Sequence, residues 1–247
     1  MDEGAANATI QKETAALKRA FRLAKQANRL PHIPHVPVPA TDNVRTHFLT
    51  MADVHAVAGH IGPDLAPVVR FAAMTGWRKG EVLNLQWSEV DFNAGTIRLL
   101  PGTTKNNEGR TFPMAALPPL VELMERQRAH TREIERETGE IITHVFHRDG
   151  QPIRHMRYNW NRAAKMAGLE GAWFHDLRRT AVKNLEKAGV SRSVAMKLTG
   201  HKTESVYRRY AIADEVALTE GVEKLARLHQ DGTEGRSIVP IDTARQA

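Results

Sequence analysis

The sequence contains no cysteine, an absence that removes disulfides, thiolate catalysis and cysteine-based zinc sites together. No apolar run approaches the roughly 20 residues of a membrane-spanning helix, and the N-terminus lacks the charged-then-apolar pattern of a secretion signal. A soluble, cytoplasmic protein with no membrane contact is therefore the expectation. There is no Gly-rich loop with a lysine to cradle nucleotide phosphates, and no carboxylate cluster to hold Mg²⁺. His32, His35, His144 and His147 invite a metal reading, but the first two adjoin prolines and none forms a helical ligand pair. Neither a metal nor a cofactor is expected.

What remains is a 247-residue chain that is 41% hydrophobic, enough for a real core in one large domain or one domain with an appendage. Its formal net charge is +7, and the charge is clustered. Between Arg154 and Tyr210, thirteen lysines and arginines stand against four acidic residues, Glu170, Asp176, Glu186 and Glu204. A solvated helical surface and a nucleic-acid-binding face both account for such a cluster.

Residues from about Asn7 to Asn28 repeat apolar side chains at helical spacing, Ile10, Leu17, Phe21 and Leu23 among them, and predict an amphipathic helix. Pro31, Pro34, Pro37 and Pro39 then force an extended stretch that reads as a linker. A helix start is expected at Thr50, where Asp53 makes a capping-box variant. An apolar helix over Pro63 to Met74 breaks at Thr75-Gly76, and a new helix opens near Lys79. Thr96–Leu100 and Arg110–Met114 read as paired strands, with Gly102 and Asn106-Asn107-Glu108-Gly109 at the bend. Leu117 to about Glu137 predicts a long amphipathic helix, and an extended piece at Val145-Phe146 ends at the turn Asp149-Gly150. From Met156 the pattern is helical, punctuated by Gly168, Gly171, Gly189 and Gly200, and the polar tail after about Gly232 reads as disordered. The fold class that follows is α+β, mainly α-helical, with one small antiparallel β-sheet.

Four clusters place polar residues where a purely structural helix would not favour them. In Trp173-Phe174-His175-Asp176-Leu177-Arg178-Arg179, His175 and Arg178 share a helix face and together suit a phosphate; a surface histidine beside an unrelated arginine is the alternative. Leu198-Thr199-Gly200-His201 ends a helix at Gly200 and is followed by Tyr210 nine positions later, with Tyr207 in similar company. Spacing alone does not choose between the two tyrosines. Arg78, in Thr75-Gly76-Trp77-Arg78-Lys79-Gly80-Glu81, lies near a helix start that favours anions, with Glu81 placed to orient it or cap the helix. Lys105 falls at the tip of the predicted hairpin, where most lysines are simply solvated.

Taken in order, Gly-Trp-Arg-x-x-Glu, a hairpin lysine, His-x-x-Arg, Gly-His and a tyrosine nine residues on resemble the tyrosine recombinase, or phage integrase, family. The resemblance covers roughly Thr50 to Glu215. It implies the tyrosine-recombinase catalytic-domain fold and a catalytic set of Arg78, Lys105, His175, Arg178, His201 and Tyr210. It also chooses Tyr210 over Tyr207, because the family's nucleophile stands at that spacing from the Gly-His histidine.

The implied reaction is cleavage and rejoining of DNA strands through a 3′-phosphotyrosyl link, without ATP or metal. A phosphodiester repels nucleophiles and a free tyrosine has a pKa near about 10. Arg78 and Arg178 would neutralise the phosphate, His175 would take the tyrosine proton or support the phosphate, and His201 would donate a hydrogen bond to a non-bridging oxygen. Lys105 would protonate the leaving 5′-oxygen. The implied partners are double-stranded DNA, further copies in a homotetramer joined through an amphipathic segment at about 215–228, and accessory DNA-bending proteins. Residues 1–30 then read as a helix like the end of a core-binding domain, 31–49 as a Pro-rich linker, 50–215 as the catalytic domain and 216–247 as a C-terminal helix and tail. Because little precedes the linker, a truncated, DNA-binding but recombination-defective remnant or regulator is the alternative function.

Overall fold

Helix-stop chemistry sets most element boundaries in this chain. The computed structural model describes residues 6–40, 48–100, 109–208, 219, 221–223, 225–227 and 229. The chain divides into two units, Met1–Thr46 and His47–Ala247.

In the first unit, helix α1 (Asn7–Gln26) has the amphipathic composition expected of it, and Asn28 closes it in the left-handed region at φ 55°. The proline-rich stretch that follows forms neither helix nor strand over 31–40. It returns along the helix, with Gln11 Nε2 donating to the Pro39 carbonyl at 2.9 Å and Asn7 Nδ2 donating to that of Ala40 at 3.2 Å.

The second unit opens on α2 (Met51–His60). Thr50 Oγ1 accepts from the Asp53 N–H, and the Asp53 carboxylate accepts from the Thr50 N–H, the capping box expected from the sequence. Helix α3 (Ala66–Thr75) starts later than its apolar pattern because Pro63–Leu65 form a turn ahead of it. It ends at Gly76, at φ 66°. No other residue fits there: besides the left-handed backbone, a Cβ would lie 2.9 Å from Ala181 Cβ and 3.0 Å from Thr199 Cγ2. The short α4 (Lys79–Leu83) follows, then a three-stranded antiparallel sheet of β1 (Val90–Asp91), β2 (Thr96–Leu99) and β3 (Arg110–Phe112), in that spatial order. In the β2–β3 register, Ile97 faces Phe112 and Leu99 faces Arg110. The expected hairpin bend, with Lys105, lies outside the described residues.

Helix α5 (Pro118–Thr138) begins on two prolines and stops at Gly139, φ 71°. Val145-Phe146, expected to be extended, form a bend, and a second, two-stranded ribbon follows them, β4 (His147–Arg148) and β5 (Gln151–Pro152). Asp149 and Gly150 both have positive φ at its turn, which matches the right-handed twist of the strands. Four helices follow, α6 (Arg157–Met166), α7 (Asp176–Lys187), α8 (Arg192–Thr199) and α9 (Glu204–Tyr207), and the described residues between 219 and 229 are also helical.

Helix α3 is central, packed by α2, α5 and α7 and carrying fully buried Val68, Val69 and Phe71. Phe71 meets Trp77 and Phe146 edge-on at 5.6 and 5.3 Å. Each such side chain contributes about 1.5–3 kcal/mol by leaving water. This packing fixes the ends of α3, α7 and α8 beside one another, and the polar clusters meet there. Among the described residues no helix is long and apolar enough to cross a membrane.

Candidate active site

Three of the four polar clusters converge. Trp77, buried at the end of α3, donates from Nε1 to the Leu198 carbonyl at 3.1 Å and so pins the last turn of α8. Gly200 then ends α8 at φ 73°, and a Cβ there would overlap the Arg110 guanidinium. Glycine is thus required twice over, by backbone and by space.

Arg178, in the first turn of α7, is 3% exposed. Its Nη1 donates to the Gly76 carbonyl at 2.6 Å and to the Thr199 carbonyl at 2.5 Å, and its Nε donates to His201 Nε2 at 3.1 Å. Both carbonyls belong to helix C-termini, where partial negative charge collects and backbone acceptors are left over. A buried cation is stable here because two helix ends face it.

Arg78 caps α4 from outside. Its N–H and its Nη1 both donate to the Glu81 carboxylate at 2.8 Å, and its Nη2 donates to the Gly200 carbonyl at 3.2 Å. Glu81 thus both orients Arg78 and caps the helix. The buried carboxylate has a second partner, Arg110 on β3, which pairs with it through both terminal nitrogens. Arg110 also lies over the Trp77 ring at 4.7 Å. Burial alone would raise the Glu81 pKa; the hydrogen bond and charge of Arg110, then the backbone and side-chain hydrogen bonds of Arg78, outweigh it and hold the group below the usual carboxylate range.

His201 is neutral and buried. Loss of water, then the charges of Arg178 and Arg78, push its pKa down to about 3. Its Nδ1 lies 2.7 Å from Thr199 Oγ1, and its ring meets Tyr207 edge-on at 5.3 Å. The histidine expected to donate to a phosphate oxygen therefore accepts at Nε2 in this state. His175 sits at the α7 N-cap, more exposed at the surface, and its pKa is also lowered, by desolvation first and by Arg178 second.

Tyr207 is fully buried, and burial followed by the Glu186 carboxylate raises its pKa to about 12. Lys105 and Tyr210 lie outside the described residues. The structure thus brings Arg78, His175, Arg178 and His201 together. It adds three residues given no site role from the sequence: Arg110, Thr199 and the packed Tyr207. Strand parity was the one available signal for Arg110, because Phe112 faces the core and a residue two positions away shares its face. Among the described residues no group of three or more His, Asp or Glu could hold a metal ion.

Comparison with known proteins identifies the family and the fold. The phage integrase family profile matches residues 51–215, and the chain belongs to that family. It is 28% identical to the integrase of Salmonella phage P22 over 226 residues, covering 90% of this chain and 58% of that protein. A putative integrase/recombinase of Haemophilus influenzae is 29% identical over 83% of this chain and 53% of its own length. The chain thus spans a little over half the length of these relatives. In three dimensions it is similar to lambda integrase in a dimer bound to a COC′ core site, with a TM-score of 0.65, 20% identity, and coverage of 83% of this chain and 73% of that one. The fold is that of a tyrosine-recombinase catalytic domain.

Proposed function

We propose that this chain is the catalytic part of a site-specific DNA recombinase that cleaves and rejoins strands through a 3′-phosphotyrosyl intermediate. The observation that carries the reading is the meeting of Arg78, His175, Arg178 and His201 around the ends of α3, α7 and α8, with Arg78 and Arg178 fixed before any ligand arrives. Fixed donors stabilise charge as it develops without reorganising, and one such group is worth roughly 3–4 kcal/mol. The two guanidiniums neutralise the phosphate, His201 donates to a non-bridging oxygen, and His175 accepts the tyrosine proton, for which its lowered pKa keeps it neutral.

Tyr210 is the proposed nucleophile and Lys105 the acid that protonates the leaving 5′-oxygen. The burial and raised pKa of Tyr207 speak against it as a competitor. Attack forms the Tyr210 Oη–P bond and breaks the P–O5′ bond; the tyrosine proton goes to His175 and the leaving oxygen receives one from Lys105. The phosphoester is conserved, so religation needs neither ATP nor metal. Double-stranded DNA is the substrate, and the DNA-bound lambda integrase dimer supports that reading. Residues 50–215 form the catalytic domain, residues 1–30 a helix like the end of a core-binding domain, and residues 31–49 the linker. A homotetramer joined through residues 215–228 and accessory DNA-bending proteins complete the proposed assembly, which would work in the cytoplasm.

The test is covalent capture from a library of nicked, randomised duplexes, in chelator and without nucleotide. A protein–DNA adduct is expected that Tyr210→Phe abolishes and Tyr207→Phe retains. An adduct surviving Tyr210→Phe removes the nucleophile assignment. Retention of duplexes without any adduct would leave only a DNA-binding protein.

A further inference from the structure

We propose that Thr199 is a positioning residue whose hydroxyl reverses direction so that His201 can change ring tautomer when a phosphate enters; the proposal rests on reading His201 as a phosphate donor. The hydrogen-bond directions follow from which atoms own protons. Arg178 Nε has a proton and no lone pair to offer, so it donates and His201 Nε2 accepts, at 3.1 Å. A neutral imidazole keeps one proton, which must then be on Nδ1. Thr199 Oγ1, 2.7 Å away, accepts it and passes its own proton to the Ala195 carbonyl at 2.7 Å.

In this state Nε2 presents a lone pair, and a phosphate oxygen that engages Arg178 would be repelled by it. Donation to the phosphate requires the other tautomer, in which Nε2 carries the proton and the Arg178 Nε–H, losing its acceptor, donates to the entering phosphate instead. One proton leaves Nδ1 and one arrives at Nε2 by exchange with water, so the ring stays neutral. That change would strand a bare acceptor at Nδ1 beside a fully buried residue. The hydroxyl prevents this, because its proton swings from the Ala195 carbonyl to Nδ1 and Oγ1 turns from acceptor to donor. The Ala195 carbonyl keeps the i→i−4 bond that the helix supplies. Neither a carboxamide nor a backbone carbonyl in place of the hydroxyl could both accept and donate through one atom.

The experiment compares full-length Thr199→Val, Thr199→Ser and His201→Ala on a captured suicide duplex, alongside ¹⁵N spectra of the histidine rings. His201 is assigned by its loss in His201→Ala. The free protein should show Nδ1–H, and Tyr210→Phe with the duplex bound should show Nε2–H. Single-turnover cleavage at saturating DNA should fall about tenfold in Thr199→Val, equivalent to about 1.4 kcal/mol, with DNA affinity unchanged and most of the rate restored in Thr199→Ser. A merely structural Thr199 would move the melting temperature and leave the tautomer switch intact. Wild-type cleavage by His201→Ala would remove the phosphate-donor reading itself. A crippled His201→Ala beside a fully active Thr199→Val, or a bound ring that keeps its proton on Nδ1, would overturn the tautomer proposal alone. The ring spectra decide the matter even if the valine variant fails to fold.

Discussion

Replacing Arg110 with methionine removes a guanidinium from a buried carboxylate while keeping much of the side chain's length. Glu81 is only 6% exposed, and it would retain Arg78 alone. Removing one partner of a buried ion pair costs about 3–5 kcal/mol. The remaining Arg78 contacts reduce that figure, and the lost stacking over Trp77 adds about 0.5–1 kcal/mol. A net loss of about 2–4 kcal/mol is expected, or roughly 5–12 °C in Tm for a domain of this size. The pH dependence gives a second handle. Because the folded pKa of Glu81 is lowered, its pairing stabilises fully above about pH 4.3, the ordinary value, and that stability is lost as pH falls through the folded value. Without Arg110, burial pushes the pKa back up, so acid unfolding of the variant should begin at higher pH. Urea titrations followed by circular dichroism, at neutral pH and in an acid series, measure both effects. A loss below about 1 kcal/mol, or strict additivity with Glu81→Gln in a double-mutant cycle, would refute the claim that Arg110 holds Glu81.

His201 has a folded pKa of about 3 against an ordinary value near 6.5, so the stability it contributes is full above that ordinary value and is lost as pH falls toward the folded one. His201→Gln should reduce the slope of unfolding free energy between about pH 6 and 4 by about 1.4 kcal/mol per pH unit; an unchanged slope would contradict a neutral buried ring. Gly200→Ala combines a left-handed backbone with overlap on the Arg110 guanidinium and should cost about 2–4 kcal/mol in denaturant titrations. Gly80→Ala meets nothing within 4 Å on α4 and should stabilise by about 0.5–1 kcal/mol in the same assay. Arg78→Ala should slow adduct formation by roughly 10²–10³-fold, read as a single-turnover rate on the captured duplex.

Local chemistry was the legible part of this chain. Thr50 with Asp53, Gly76 and Gly200 each declare a helix end through bonds made within a few residues, and the structure places those ends as expected. The strands β2 and β3 were legible for the same reason, whereas β1 and the β4–β5 ribbon are two-residue elements too short to show alternation. Arg110 shares a strand face with Phe112, but parity gives only the face, and the partner that makes a charge tolerable there lies 29 positions away. His201 was legible as a residue and not as a state. Its direction of bonding depends on Arg178, 23 positions earlier, and on Thr199, which a helical pattern treats as an ordinary last-turn residue. The prolines exclude a helix after α1, but the return of that stretch along α1 depends on side-chain amides of Asn7 and Gln11 meeting distant carbonyls, which no local pattern shows.

Arg178 has a consequence for anyone who wishes to silence this protein without disturbing it. One nitrogen of its guanidinium holds two helix C-termini that would otherwise turn partial negative charges toward each other. Arg178→Ala would therefore confuse a missing phosphate ligand with a loosened scaffold, and lysine, with a single point charge, cannot span both carbonyls and His201. Arg78, whose side chain is 28% exposed, can be changed with less damage to the frame. The clean way to freeze the proposed reaction with DNA in place is to leave every arginine standing and remove one oxygen, in Tyr210→Phe.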